Sequence, residues 1–121
     1  MPKQTILVID DEKDILKLLQ YSLEKEGYQV LLSKTGEEGL ELARNKRPDL
    51  IILDLMLPDM EGFQVCKELR RICSPWSVPI VMLTALSEPV DRLKGFAHGA
   101  DAYLTKPCRT EELLDTIERL L

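Results

Sequence analysis

Five short apolar runs, each followed by a stretch with helical spacing, constrain this chain more than any other feature. The runs are Ile6-Leu7-Val8-Ile9, Val30-Leu31-Leu32, Leu50-Ile51-Ile52-Leu53, Ile80-Val81-Met82-Leu83 and the weaker Ala102-Tyr103-Leu104. They scarcely alternate apolar with polar residues, the pattern of strands covered on both faces. Between them, Ile15, Leu18, Leu19 and Leu23 space as one helical face, with Gly27 as a stop signal. Thr35-Gly36-Glu37-Glu38 reads as a capping box with Thr35 as the cap, opening a helix that carries Leu40 and Ala43 and closes before Pro48. Phe63, Cys66, Leu69, Arg70 and Cys73 fall on a third helix that stops before Pro75. Pro89 suits the first turn of a fourth helix with Val90, Leu93 and Ala97. Thr110 is expected to cap the last helix, with Leu113, Leu114, Ile117 and Leu121 facing inward.

Strands alternating with crossover helices require a parallel sheet with right-handed connections. The expected class is therefore α/β, a doubly wound (βα)5 sheet. The flavodoxin-like order 2-1-3-4-5 is the common solution at this size. A length of 121 residues suits one domain spanning 1–121.

Bulk properties narrow the function. With 45% hydrophobic and 31% charged residues, the chain has an ordinary soluble composition. No apolar run approaches the ~20 residues of a membrane span, and no signal peptide is evident, so a cytoplasmic location without membrane contact is expected. The net charge of −5 argues against direct nucleic-acid binding. Cys66, Cys73 and Cys108 form no C-x-x-C motif, so free thiols are expected rather than disulfides or zinc.

In open parallel sheets, ligands bind beyond the carboxyl ends of the strands. Asp10 and Asp11 follow the first run, Asp54 the third, Thr84 with Ala85 the fourth, and Lys106 with Pro107 the fifth. Ser33 and Lys34 follow the second, which would lie at the sheet's edge. Three carboxylates at one rim repel each other unless a cation intervenes. Oxygen ligands that leave room for water and phosphate suit Mg²⁺. A carboxylate can act as a nucleophile and form an aspartyl-phosphate. Lysine and hydroxyl donors would stabilise charge on the transferring phosphoryl oxygens. Singly, each residue has a plainer reading. Asp10 or Asp11 could be a helix cap, and Lys106-Pro107 a turn. Asp54, however, precedes Leu55-Met56-Leu57-Pro58, where no helix needs a cap. The joint placement of all five carries the reading.

The segments ILVIDDE at 6–12, PDLIILDLMLPDMEG at 48–62, PIVMLTA at 79–85 and GADAYLTKP at 99–107 resemble the receiver domains of two-component response regulators, including the chemotaxis type. The likeness covers the whole chain, read as a single receiver with no effector domain. It implies that Asp54 is the phosphoacceptor. It also implies that Asp11 binds Mg²⁺ directly, with Asp10 as an acidic partner, and that the Met56 carbonyl completes the protein ligands. Thr84 would be the switch hydroxyl, Tyr103 the aromatic that swings inward, and Lys106 the phosphate-contacting lysine. The Lys106-Pro107 bond would be cis, and Gly62 would permit the turn beyond Asp54. The implied partners are a histidine kinase or phosphotransfer protein and a downstream effector. The fourth helix, fifth strand and fifth helix would form the output face.

VDRLKGFAHGADAYLTKP resembles the receivers that carry winged-helix domains and dimerise through charge pairs on that face. Arg92 and Glu112 could keep one pair. Ala102 and Thr116 stand where a second pair would need an aspartate and an arginine, and Cys108 replaces a bulky apolar residue. A monomer or a weak phosphorylation-dependent dimer is expected. Two alternatives stand beside this reading. One is a phosphatase or phosphotransferase passing through an aspartyl-phosphate, although Asp54 is followed by Leu-Met rather than by the x-Asp that dehalogenase-type phosphatases use. The other is a pseudo-receiver that binds without phosphorylation, although no site residue is missing. His98 is read as a helix C-terminal residue, and Trp76 as a loop residue.

Overall fold

Each apolar run forms a strand in the computed structural model, which describes residues 3–74 and 77–121. The order is β1 (Thr5–Ile9), α1 (Lys13–Lys25), β2 (Gln29–Ser33), α2 (Gly36–Lys46), β3 (Leu50–Leu53), α3 (Gly62–Ile72), β4 (Ile80–Thr84), α4 (Pro89–Ala97), β5 (Ala102–Thr105) and α5 (Thr110–Leu120). All pairings are parallel, and the sheet order is β2-β1-β3-β4-β5. The parallel sheet is what the alternation demands, and its order is the expected flavodoxin-like one. Trp76 lies outside the described residues.

Successive strand side chains point to opposite faces, so the apolar runs supply two cores. Ile6, Val8, Leu50, Ile52, Val81 and Leu83 pack against α1 and α5. Leu7, Ile9, Ile51, Leu53, Ile80 and Met82 pack against α2, α3 and the Tyr103 side. Central strands β1, β3 and β4 are almost wholly buried, whereas edge strand β2 is half-buried. Burying each large aliphatic side chain contributes roughly 1.5–3 kcal/mol, which is why three contiguous runs suffice to fix the sheet.

The helices depart from expectation in three places. The buried stripe of α1 is Leu16, Leu19 and Leu23, while Leu18 is 51% exposed. Ile15 and Leu18 instead flank the stripe and line a cleft with Cys108 and Leu113. Thr110 does not cap α5. Arg109 holds the extended backbone of the cap position and makes no side-chain cap bond, so Thr110 is already helical. Leu121 follows the last helical residue and is exposed.

Thr35 does cap α2, its hydroxyl accepting from the Glu38 N–H at 3.1 Å. The Glu38 carboxylate reaches back to the Lys34 N–H, one residue beyond the usual reciprocal partner. Gly62 is the first residue of α3 rather than a turn residue. A Cβ there would lie 2.3 Å from Leu55 Cα and 2.6 Å from the Asp54 carbonyl oxygen, so close approach is what requires glycine.

Candidate functional site

The sheet register assembles the site. Ile9 pairs with Leu53 across β1 and β3, so Asp10 and Asp54 emerge side by side. Thr84 pairs with Thr105 across β4 and β5, which places Lys106 just beyond. The Asp54 N–H donates to the Ile9 carbonyl at 2.9 Å, and the Lys106 N–H donates to the Thr84 carbonyl at 2.7 Å. The Lys106–Pro107 peptide bond is cis.

Lys106 is the hub. Its ammonium donates to Asp10 Oδ2 at 2.8 Å, Glu12 Oε1 at 3.0 Å and Asp54 Oδ2 at 3.1 Å. Burial works against the charge on Lys106. Its hydrogen bonds to Asp10 and Glu12, with the Asp10 charge, outweigh that and hold its pKa above the ordinary lysine value. Burial pushes the Asp10 carboxyl above its ordinary value, only partly opposed by bonds from Lys106 and the Glu12 N–H. Three carboxylates share one cation, leaving an excess of negative charge at a partly dry rim.

Asp54 is 3% exposed, but it is held more loosely than Asp10. Its Oδ1 accepts from the Met56 N–H at 3.2 Å, compared with 2.9 Å for Asp10 Oδ1 from the Glu12 N–H. Each Asp54 oxygen accepts one such bond, and a carboxylate oxygen has two lone pairs. Lone pairs therefore remain for bonding to an incoming group.

Asp10, Glu12 and Asp54 each offer an oxygen, all within 4.8 Å of one another, so this group could hold a metal ion. The donor set fits a hard divalent cation: it is oxygen-only and carries more negative charge than Lys106 neutralises. Asp11 is exposed and its carboxylate lies outside the group. Glu12 was not singled out from the sequence. It occupies the cap position of α1 and turns back toward Lys106. The acidic run Asp10-Asp11-Glu12 was its only sequence signal.

Thr84 is fully buried, and its Oγ1 accepts from the Leu86 N–H at 3.4 Å. The Tyr103 hydroxyl donates to the Leu86 carbonyl at 2.7 Å, and its ring is buried. Thr84 and Tyr103 thus hold the two sides of one peptide residue. The Arg92 guanidinium lies over the Tyr103 ring, 5.2 Å from its centre. The Thr116 hydroxyl donates to the Glu112 carbonyl within α5, so it serves its own helix. His98 occupies the C-terminal cap of α4, with Nδ1 2.8 Å from the Lys94 carbonyl. The cysteines are free, and burial pushes the Cys66 thiol up to about 11.

The carboxyl ends of the parallel strands thus carry an acidic rim bridged by one buried lysine. Comparison with known proteins supplies the family. Residues 6–118 match the response regulator receiver domain. The chain is 47% identical over 116 residues to the alkaline phosphatase synthesis transcriptional regulatory protein PhoP of Bacillus subtilis, covering 96% of this chain and 48% of that protein. It is 47% identical over 121 residues to the DNA-binding dual master transcriptional regulator RpaA of Synechocystis sp., covering 100% of this chain and 49% of that protein. The chain therefore spans about half the length of these curated relatives. Chemotaxis protein CheY4 of Vibrio cholerae superposes with a TM-score of 0.93 at 35% identity, covering 99% of this chain and 100% of that one. This chain belongs to the response regulator receiver family of two-component signalling. The family is one of signalling domains rather than conventional enzymes, and the phosphatase reading is not favoured. Among the described residues, no helix is long and apolar enough to cross a membrane.

Proposed function

We propose that Asp54 accepts a phosphoryl group from a phosphohistidine on a kinase or phosphotransfer protein. The observation that carries this is the pairing of buried Asp54 with the Lys106 ammonium at the centre of the acidic rim. An Asp54 oxygen attacks phosphorus, the new O–P bond forms, and the P–N bond breaks with its electron pair leaving on the imidazole. Lys106, already shared among three carboxylates, turns its ammonium to a phosphoryl oxygen. Thr84 accepts one bond from Leu86 and retains its own hydroxyl proton for a second oxygen. Asp10, Asp11 and Asp54, with the Met56 carbonyl, are the proposed holders of Mg²⁺; of these, Asp10 and Asp54 share the clustered carboxylates with Glu12. A bound Mg²⁺ would offset the negative charge shared by the carboxylates and the incoming phosphoryl oxygens.

The signal leaves through Leu86. When Thr84 moves toward the phosphoryl group, it draws on the residue whose carbonyl anchors Tyr103. The Tyr103 ring of β5 lies tilted against Phe96 of α4, the ring centres 6.5 Å apart, so its movement reaches α4. A downstream effector domain or protein reads the face of α4, β5 and α5 in the cytoplasm.

Incubation with acetyl phosphate and Mg²⁺ tests the reading by intact mass. One phosphoryl group should add to the unsubstituted chain and none to Asp54→Asn. Equal gain in both, or no gain in either, overturns it.

A further inference from the structure

The segment from Asp54 to Gly62 links β3 to α3 and carries the proposed acceptor at its start. Its base is closed on itself. The Gly62 N–H donates to the Leu55 carbonyl at 3.0 Å, and Met56 bridges Glu61. Its outer part is tied to a different element. Asp59 Oδ1 accepts from the Gly36 N–H at 2.8 Å, and Oδ2 accepts from the Glu37 N–H at 3.0 Å. These are first-turn donors of α2, which helix geometry leaves without intrahelical partners. Thr35 serves only the third, from Glu38. A helix start is commonly capped from its own chain, but Asp59 lies 23 residues from Gly36. The closeness is built in: a Cβ on Gly36 would lie 2.9 Å from Met60 Sδ and 2.8 Å from Val65 Cγ2.

The tie continues to the other acidic loop. The Ser33 hydroxyl donates to the Thr35 carbonyl at 2.7 Å, and the Asp10 N–H donates to the Ser33 carbonyl at 3.0 Å. Asp59, the start of α2, Ser33 and Asp10 therefore form one connected path. It runs from the outer part of the Asp54 loop to the backbone of the second acidic strand end. The β2 edge looks idle in the sequence, yet it braces the two acidic loops against each other.

We propose that Asp59 is a positioning residue for phosphoryl acceptance. It holds the loop so that the Met56 N–H stays on Asp54 Oδ1 and the two acidic strand ends keep their spacing. This rests on Asp54 being the acceptor. It adds a residue that touches neither phosphoryl group nor metal and acts through backbone placement. The exposed Asp59 carboxyl is held below its ordinary value, chiefly by the Gly36 N–H and then the Glu37 N–H, which agrees with the tie being made.

Thr35→Ala is the matched control, because it removes the other α2 cap without touching the Asp54 loop. Two readouts separate positioning from simple helix capping. The first is amide hydrogen exchange at Met56 and Gly62, without Mg²⁺ or phosphodonor. The second is the initial rate of phosphorylation by acetyl phosphate. Asp59→Ala should speed exchange at both amides and slow phosphorylation, the latter by about tenfold, the scale of losing an outer partner of a site. Thr35→Ala should leave both near the unsubstituted values, and Asp59→Asn, which keeps one acceptor oxygen, should fall between. If Asp59→Ala exchanges at Met56 and Gly62 no faster than Thr35→Ala, the tie does not position the loop and the proposal is overturned. If the unsubstituted chain takes no phosphoryl group, the acceptor reading fails, and the exchange readout still decides the tie.

Discussion

Helices α3 and α4 each follow a strand that delivers a site residue, Asp54 for one and Thr84 for the other, yet they are held very differently. Helix α3 buries Gly62, Phe63, Val65, Cys66 and Leu69. Arg70 adds donors to the Gly99 and Val78 carbonyls and to Asp101. Helix α4 buries only Gly95 and turns Val90 and Leu93 outward at 66% and 71% exposure. The loop of the proposed acceptor thus runs into a helix that cannot shift without opening the core. The loop after Thr84, the proposed switch hydroxyl, runs into a helix that can. Rigid placement suits chemistry at Asp54, and a loosely held helix suits a reporter drawn from the low-stability end of the fold.

The sharpest way to break this contrast is to truncate one leucine in each helix. Leu69→Ala should cost about 2–5 kcal/mol in denaturant unfolding, the range for a fully buried leucine. Leu93→Ala should stay within about 0.5 kcal/mol of the parent, as exposed positions do. Similar costs would show that α4 is anchored in a way its exposure hides. The glycines sharpen the contrast next. Gly62→Ala forces a Cβ against backbone atoms of Leu55 and Asp54 and should cost about 1–3 kcal/mol by the same unfolding measurement. Gly95→Ala meets the Tyr103 ring and Met82 Sδ, which are side-chain atoms. It also gains about 1 kcal/mol of helix propensity, so its net effect should be smaller.

The same contrast marks the limit of what the sequence discloses. The strands are legible because the apolar runs are too short for helices and alternate with helical stretches, and register carries Asp10, Asp54, Thr84 and Lys106 to one rim. The apolar spacing of Val90, Leu93 and Ala97 resembles that of Phe63, Cys66 and Leu69. Periodicity shows that a helix has an apolar face, but not whether anything covers it. Leu18 shows the same limit, since α1 has more apolar residues than its buried stripe uses. Glu12 was not singled out because its side chain bends back from a helix start. Asp59 was not, because its partners lie across the fold and hydrogen-bond through backbone N–H groups, which every sequence has.

Tyr103 gives a smaller test of the link between the two regions. Tyr103→Phe removes the donor to the Leu86 carbonyl and should cost about 1 kcal/mol by thermal unfolding. It should also uncouple α4 from Asp54. Phosphorylation would proceed at the parent rate while phosphorylation-induced amide shifts in α4 diminish. Undiminished shifts would mean that the message travels by another route.

The smallest expected effect is a pH dependence. Hydrogen bonds from the Gly36 and Glu37 N–H groups hold the folded pKa of Asp59 below its ordinary value of 3.8. A carboxyl depressed in the folded state contributes stability that is present above the unfolded value. That contribution is lost as pH falls through the folded one. Asp59→Asn should therefore flatten the acid side of the stability profile and leave its slope near neutrality unchanged. The effect is small because Asp59 is exposed and screened by water.

The most direct test of the central claim is to trap the acceptor chemically. After treatment with acetyl phosphate and Mg²⁺, borohydride reduction converts an aspartyl-phosphate to homoserine, which peptide mass spectrometry can place. The expected result is homoserine at Asp54 alone, absent when Mg²⁺ is chelated. Homoserine at Asp10 or another aspartate, the reduced alcohol of a glutamate, or no reduced residue at any position would contradict the account.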